Sequence, residues 1–166
     1  AMLHGHHSAE DELLWPIVEE RAPERAALIA TMSTQHARLS DLVDTAQAEA
    51  TAWMSDTNIL TRSSLHTTLI ALERALLEHL SFEEIEVLPV IAAVVTQPEF
   101  DAVGIHARAA LSPETLAIGL GLILDDNSAE AGQAILDSLP PEARAGFEEF
   151  GRPAYVAYRD RLLDNA

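Results

Sequence analysis

Two stretches of the chain share one pattern, "HHSAEDELLWP" at 6–16 and "HLSFEEIEVLP" at 79–89. In each, a glutamate follows a histidine by four residues, and a proline follows the glutamate by six. The positions are His6, Glu10 and Pro16 in the first stretch and His79, Glu83 and Pro89 in the second. A spacing of four places two side chains one above the other on a helix face. The repeat therefore predicts two helices that present matching His–Glu pairs.

Both pairs lie on stripes of apolar residues that have helical spacing, and a third histidine does the same. The first stripe is Leu3, His6, Glu10, Leu13 and Ile17; the second is Ile29, Met32, His36, Leu39 and Val43; the third is Leu65, Leu69, Leu72, Leu76, His79 and Glu83. Such stripes face the core of a helical protein. Three helices therefore direct histidine or glutamate towards a shared interior.

The pattern predicts an all-α fold, an antiparallel helical bundle with helices at 3–21, 23–51 and 63–96. Residues 52–62 are expected to connect the second and third helices, and "TQPEFD" at 96–101 is expected to be a break. We expect a single domain, 1–166. Within it, 2–96 forms the bundle core and 97–166 a helical extension.

Buried histidines and carboxylates need partners, because an unpaired charge is costly inside a protein. No Lys or Arg lies on the three stripes. A bound cation is the natural partner, and imidazole with carboxylate is a ligand set that suits iron, manganese or zinc. A glutamate has two oxygens and can bridge two ions. The candidate metal ligands are His6, Glu10, His36, His79 and Glu83.

The register of the first helix has an alternative. His7, Asp11, Leu14 and Val18 form a competing inward stripe, shifted by one residue. Alignment of "HHSAED" with "HLSFEE" favours His6 and Glu10 as the ligands. That alignment places His7 opposite Leu80.

Composition restricts the function classes. The chain has 166 residues, and its 10 basic and 27 acidic residues give a net charge of −17. Such acidity argues against nucleic acid and anionic membranes as partners. The absence of cysteine excludes disulfides and thiol catalysis, and it fits a cytoplasmic location. No apolar run has the length of a membrane span, and no signal peptide or catalytic residue is predicted.

The motifs "HGHHSAEDELLWPIVEER", "TQHARLSDL" and "EHLSFEEIEVLP" resemble, in this order, the second, third and fourth helix motifs of the bacterial hemerythrin-like, or HHE cation-binding, family. The resemblance covers roughly residues 2–92. It implies a four-helix bundle enclosing a non-heme di-iron site. The same resemblance matches His6 with Glu10 to the second-helix ligand pair, His36 to the third-helix histidine, and His79 with Glu83 to the fourth-helix pair.

The chain departs from the family pattern in two ways. The usual first helix and its histidine have no counterpart, and Ser40 stands where a second histidine of the third helix is expected. Five candidate ligands remain, and water or an exogenous anion could complete the coordination. A bundle lacking one helix needs a cover. A homodimer is favoured over the C-terminal section in this role, with apolar residues of the first and third helices at the interface.

The resemblance implies a module that binds or senses oxygen, nitric oxide or peroxide at iron. A di-iron enzyme acting on peroxide or nitric oxide is the alternative. A structural or interaction protein with a degenerate site is a further possibility, because the first helix is missing.

Overall fold

A computed structural model describes residues 2–109 and 111–164, and every regular element in these residues is helical. The predicted all-α class is therefore confirmed. The elements of the first part of the chain are α1 (Met2–Ala9, a π-helical turn at Glu10–Leu14, then Trp15–Arg21), a 3-10 turn at Pro23–Arg25, α2 (Ala26–Ser55), α3 (Ile59–Phe82, a π-helical turn at Glu83–Val87, then Leu88–Val94) and α4 (Gln97–Ala109).

Three further helices follow: α5 (Pro113–Asp126), α6 (Ala129–Ser138) and α7 (Pro141–Gly146, a π-helical turn at Phe147–Gly151, then Arg152–Asp164). No helix among the described residues combines the length and apolarity needed to cross a bilayer. Contacts divide the chain into two compact units, one of residues 3–107 and one of residues 108–164 together with Met2. The sequence analysis places the end of the bundle at residue 96, whereas the first unit runs to Ala107.

The core of the first unit draws side chains from all four of its helices. The buried members are Ala9, Leu14, Trp15, Val18, Ile29, Met32, Val87, Ile91 and Val103. Val103 lies on α4, and the half-buried Ala107 packs against the same cluster. A segment that the sequence analysis assigns to the extension thus supplies a fourth helix to the bundle core.

The connection between α2 and α3 is much shorter than predicted. Residues 52–62 were expected to be non-helical, but only 56–58 are. Asn58 explains the early start of α3, because its Oδ1 accepts hydrogen bonds from the backbone N–H groups of Leu60 and Thr61. The Thr61 hydroxyl in turn accepts from the Asn58 backbone, which completes a capping box.

The predicted break at 96–101 is also much shorter than expected, because α3 ends at Val94 and α4 begins at Gln97. Proline is tolerated in the first turn of a helix, so Pro98 does not interrupt it. Glu99 Oε2 accepts from the Thr96 backbone N–H at 2.9 Å, as in a helix cap. Both Glu99 oxygens also pair with the Arg21 guanidinium at 2.7 and 2.8 Å. These contacts tie the start of α4 to the end of α1.

The second unit packs α7 against α5 through a close approach at Gly121. A Cβ atom there would lie 2.1 Å from Cγ of the Tyr155 ring, so only glycine fits. The buried Tyr155 donates from its hydroxyl to Asp125 Oδ2 at 2.6 Å. This unit contains none of the candidate metal ligands.

Candidate metal centre

The two His–Glu motifs fold alike, and each contains a π-helical turn that begins at its glutamate. In α1 the Trp15 N–H bonds to the Glu10 carbonyl, and in α3 the Leu88 N–H bonds to the Glu83 carbonyl, five residues back in each case. The next residue is a proline in both helices. A proline ring clashes with the carbonyl four residues before it, and a wider turn relieves that clash. The proline spacing thus explains the repeated distortion.

The π-helical turn lies within the inward face of α1. His7 is buried before the turn, Glu10 and Leu14 within it, and Trp15 and Val18 after it. Three of these residues, His7, Leu14 and Val18, belong to the second stripe of the sequence analysis, and Glu10 belongs to the first. The structure therefore combines His7 of one register with His6 and Glu10 of the other, whereas the Asp11 side chain is 43% exposed.

Three buried histidines from three helices form the first group of possible ligands. His7 on α1, His36 on α2 and His79 on α3 each have one ring nitrogen within 4.8 Å of the corresponding atoms of the other two. All three side chains are at most 4% exposed. An ion that holds nitrogen ligands at about 2.1 Å brings them within about 4.2 Å of one another, so small movements of the rings would let all three bind one ion.

A second group lies beside the first and has a different donor set. His6, Glu10 and Glu83 bring one nitrogen and two carboxylate oxygens within 4.8 Å of one another. The His6 side chain is 48% exposed and that of Glu83 is 14% exposed. This group, which we call the mixed triad, therefore lies nearer to solvent than the group of three histidines, which we call the histidine triad.

Glu10 lies between the two triads. Its Oε1 is 3.3 Å from His6 Nε2, and its Oε2 is 3.5 Å from His36 Nε2. Glu83 Oε2 lies 3.7 Å from His79 Nε2. A carboxylate between two groups of ligands can bridge two ions, and Glu10 has the position for this role.

The structure brings all five sequence-predicted ligands together, but it divides them between the triads. It also adds His7, which sequence reasoning missed. The alignment with the third helix set His7 opposite Leu80, which is 41% exposed. The signal that could have found His7 was the competing stripe of His7, Asp11, Leu14 and Val18, read together with the proline that widens the helix.

The polar atoms that face the centre show how well it fits a cation. Among the described residues, four buried site atoms make no hydrogen bond: His7 Nε2, His36 Nε2, His79 Nε2 and Glu10 Oε2. A buried polar atom without a partner is costly, and most such atoms in proteins are paired. All four belong to the two triads. A cation coordinated by the three nitrogens and the glutamate would satisfy them together.

Burial also keeps the histidines in the form that binds metal. Burial, together with the neighbouring His36 and His79, lowers the pKa of His7 to about 3. Burial likewise lowers the pKa of His79 to about 4, with a contribution from His36. The pKa of His6 falls by burial and by the proximity of His36. At neutral pH these imidazoles are uncharged, so each can offer a nitrogen lone pair.

The carboxylates show the opposite effect. Burial, together with the nearby Glu83 and Asp11, raises the pKa of Glu10 to about 8. Burial also raises the pKa of Glu83, with a contribution from Glu84. The ion-pair contacts of Glu10 and Glu83 are with histidines that are neutral at this pH. A bound cation would supply the missing positive charge and release the Glu10 proton.

The remaining histidines are not members of these groups. His66 is exposed on α3. His106 on α4 contacts Glu12 at 3.3 Å, with both side chains about half exposed. His4 lies 3.8 Å from Asp44. None of the three belongs to either triad.

The comparison with protein families agrees with this geometry. The sequence matches the hemerythrin HHE cation-binding domain over residues 1–91, which include every member of both triads. No curated protein and no solved structure gives a match. Because the match spans more than half of the 166 residues, the chain belongs to the hemerythrin HHE cation-binding family.

Proposed function

We propose that the chain is a non-heme di-iron protein that binds or senses a small ligand such as oxygen, nitric oxide or peroxide. The observation that carries the proposal is the set of four buried, unpartnered atoms, which is divided between two adjoining triads. His7, His36 and His79 would hold one ion, and His6, Glu10 and Glu83 the other. Glu10 would contact both.

Iron is proposed from the family and from the donors. Nitrogen and carboxylate oxygen donors suit iron, manganese and zinc, and zinc binds such sites at least as tightly as ferrous iron. The donor set therefore admits all three metals. Bound iron would supply a redox-active Lewis acid to which a diatomic molecule or peroxide can attach.

The residues around the triads would limit access to that centre. Leu14, Trp15, Met32 and Val87 are at most 3% exposed and belong to the core cluster beside it. These apolar side chains would exclude bulk water from the histidine triad. The half-exposed His6 leaves the mixed triad closer to solvent. We therefore propose that a small ligand reaches the centre from the side of the mixed triad.

Metal analysis of freshly purified protein tests this function. We expect about two ions of iron per chain. We also expect ultraviolet–visible bands that change when oxygen or nitric oxide is added to protein that has been reduced under anaerobic conditions. His79→Ala and Glu83→Ala should each lower the bound metal. Unchanged stoichiometry in both variants would remove these residues as ligands. A purified chain that binds no iron, manganese or zinc would favour the degenerate-site alternative.

The enzyme alternative makes a different prediction. The mixed triad is accessible to solvent through the half-exposed His6. An enzyme would need such access for substrate to enter and product to leave. A di-iron enzyme should consume peroxide or nitric oxide in large molar excess over protein, whereas a binding or sensing module should react only in amounts comparable to its own concentration. Steady-state consumption, measured with an electrode, separates the two.

A further inference from the structure

We propose that Asp11 is a positioning residue of the centre: it orients His36 and selects the tautomer that offers Nε2 to the metal. Asp11 Oδ1 lies 2.9 Å from His36 Nδ1. The same oxygen accepts a hydrogen bond from the Trp15 indole Nε1 at 2.8 Å. This inference rests on the proposed metal function, but its test includes a measurement on the metal-free chain.

The tautomer follows from the chemistry of the three groups. An ionised carboxylate only accepts hydrogen bonds, so His36 Nδ1 must carry the hydrogen that Asp11 accepts. The lone pair is then on His36 Nε2, the buried and unpartnered atom that faces the triads. Contact with Asp11 also opposes the fall in the pKa of His36 that burial causes. Asp11 thus makes the imidazole a better donor to a cation.

Trp15 holds Asp11 in this position. The indole is 3% exposed and packs in the core of the bundle, so its N–H has a fixed direction. Trp15 follows Asp11 by four residues, and the π-helical turn of α1 spans that interval. The distorted segment therefore contains both Glu10, a member of the mixed triad, and Asp11, which lies between Trp15 and His36.

Asp11 is not itself placed as a ligand. Its Oδ1 already serves two donors, and its side chain is 43% exposed. The neighbouring Glu10 is the carboxylate that joins a triad. His79 has a weaker counterpart, because its Nδ1 contacts Gln35 Oε1 at 3.3 Å. His36 thus has a charged partner, whereas His79 contacts a neutral amide.

The first test measures metal affinity, with cobalt(II) as the probe because its visible bands report coordination. Asp11→Asn should weaken cobalt binding roughly 10- to 100-fold, the usual effect of losing a carboxylate partner of a ligating histidine. Glu12→Gln is the matched control, since it removes the same charge from the next residue, whose exposed carboxylate contacts His106. Equal affinities in Asp11→Asn and Glu12→Gln would overturn the proposal.

The second test uses ¹⁵N NMR of the metal-free chain at neutral pH. We expect His36 in the native protein to carry its hydrogen on Nδ1, and the Asp11→Asn variant to show a larger share of the Nε2-protonated form. Trp15→Phe should shift the tautomers in the same direction by a smaller amount. A native His36 protonated on Nε2 would refute the role of Asp11 even if metal binds. The predicted tautomers in a chain that binds no metal would instead refute the metal function and leave the Asp11–His36 relationship intact.

Discussion

The imidazole rings of His7 and His36 stack face to face, with centroids 4.0 Å apart and planes 3° from parallel. His79 meets both rings edge-on, at 5.0 Å from His7 and 5.1 Å from His36. In each ring the Nε2 atom is buried and makes no hydrogen bond to a described residue. Such tight packing of three imidazoles is tolerable only if all remain neutral or share a cation.

His7 is the proposed ligand that this arrangement adds to the sequence-based set, so its removal is the sharpest test of the histidine triad. His7→Ala should lower the bound metal by about one ion per chain, since two histidines alone hold a divalent cation weakly. Elemental analysis after dialysis measures the stoichiometry. His66→Ala is the control, because His66 is exposed on α3. A full metal complement in His7→Ala would restrict the centre to the mixed triad.

The sequence predicted the helices and most of the candidate site because apolar residues that recur three or four positions apart mark the buried face of a helix. His36 among Ile29, Met32 and Leu39 illustrates this, since all four are buried. His7 was missed because the alignment of the two motifs set it opposite Leu80, although His7 precedes Glu10 by three residues and so shares its helix face. The π-helical turn that begins at Glu10 coincides with Pro16, and a third such turn, Phe147–Gly151, likewise begins six residues before a proline.

The role of α4 was missed for a different reason. Residues 96–101 contain Pro98, which was read as a break, although "TQPE" also carries a helix-start signal in Thr96 and Glu99. Whether a short helix packs in the core or in an extension depends on long-range contacts. Val103 in the core and the Arg21–Glu99 pair are such contacts, and periodicity within one segment does not report them.

The metal-free protein should lose stability as pH rises above 6.5. Glu10 has a pKa of about 8 in the folded chain and about 4.5 when exposed, so between these values the folded state holds a proton that the unfolded state has lost. Stability then falls with increasing pH, by about 2 kcal/mol between pH 6.5 and 8. Urea unfolding in the presence of a chelator measures this. Glu10→Gln should abolish the decline.

The acid side has the opposite sign. His7 has a pKa of about 3 in the folded chain against about 6.5 in the unfolded chain, so below pH 6.5 the unfolded state binds the extra proton. His79, at about 4, acts in the same direction. Because these two histidines outweigh the single proton that Glu10 holds, stability should fall as pH drops below about 6.5, and more steeply below about 4.5, where Glu10 no longer opposes the trend. A metal-free chain that is equally stable at pH 3.5 and 6 would contradict the burial of neutral histidines.

Metal binding at pH 7 should release a proton from Glu10. With a pKa of about 8, this carboxyl is mostly protonated in the metal-free chain, and a cation beside it requires the ionised form. Zinc titration calorimetry in two buffers of different ionisation enthalpy should show about one proton released per chain. The Glu10→Gln variant should release clearly less. Identical heats in the two buffers for the native chain would show that Glu10 binds no metal.

The final prediction concerns the hairpin tip, which we define as residues 47–77 at the α2–α3 connection. The N-terminal part of α1 lies beside Asp44, as the His4–Asp44 contact shows, and Ala107 near the end of α4 lies beside Gly5. Within the first unit, the tip is therefore built from α2 and α3. Four large apolar residues of the tip are 62–80% exposed to solvent: Met54, Ile59, Leu60 and Leu77. A pair of helices buries little of its apolar surface without further partners.

The charge of the tip indicates a second copy of the chain as its partner. Three acidic residues and two basic ones give it a net charge of −1, against −17 for the whole chain. Because both copies are strongly acidic, contact between two surfaces of low net charge costs little in electrostatic repulsion. Two tips side by side would form a four-helix arrangement with two-fold symmetry. The sequence analysis placed a dimer interface on the first and third helices; we propose α2 and α3 instead.

Light scattering at micromolar concentration should therefore report a dimer for the native chain and a monomer for Ile59→Asp. Aspartate is favourable in the first turn of a helix, so this change removes an apolar contact without disrupting α3. Ile85→Asp is the matched control, because Ile85 is 66% exposed and Ile59 is 69% exposed, but Ile85 lies outside the tip. It should leave the dimer intact. A native chain that remains monomeric, or a dimer lost equally in both variants, would show that the tip is not where two copies meet.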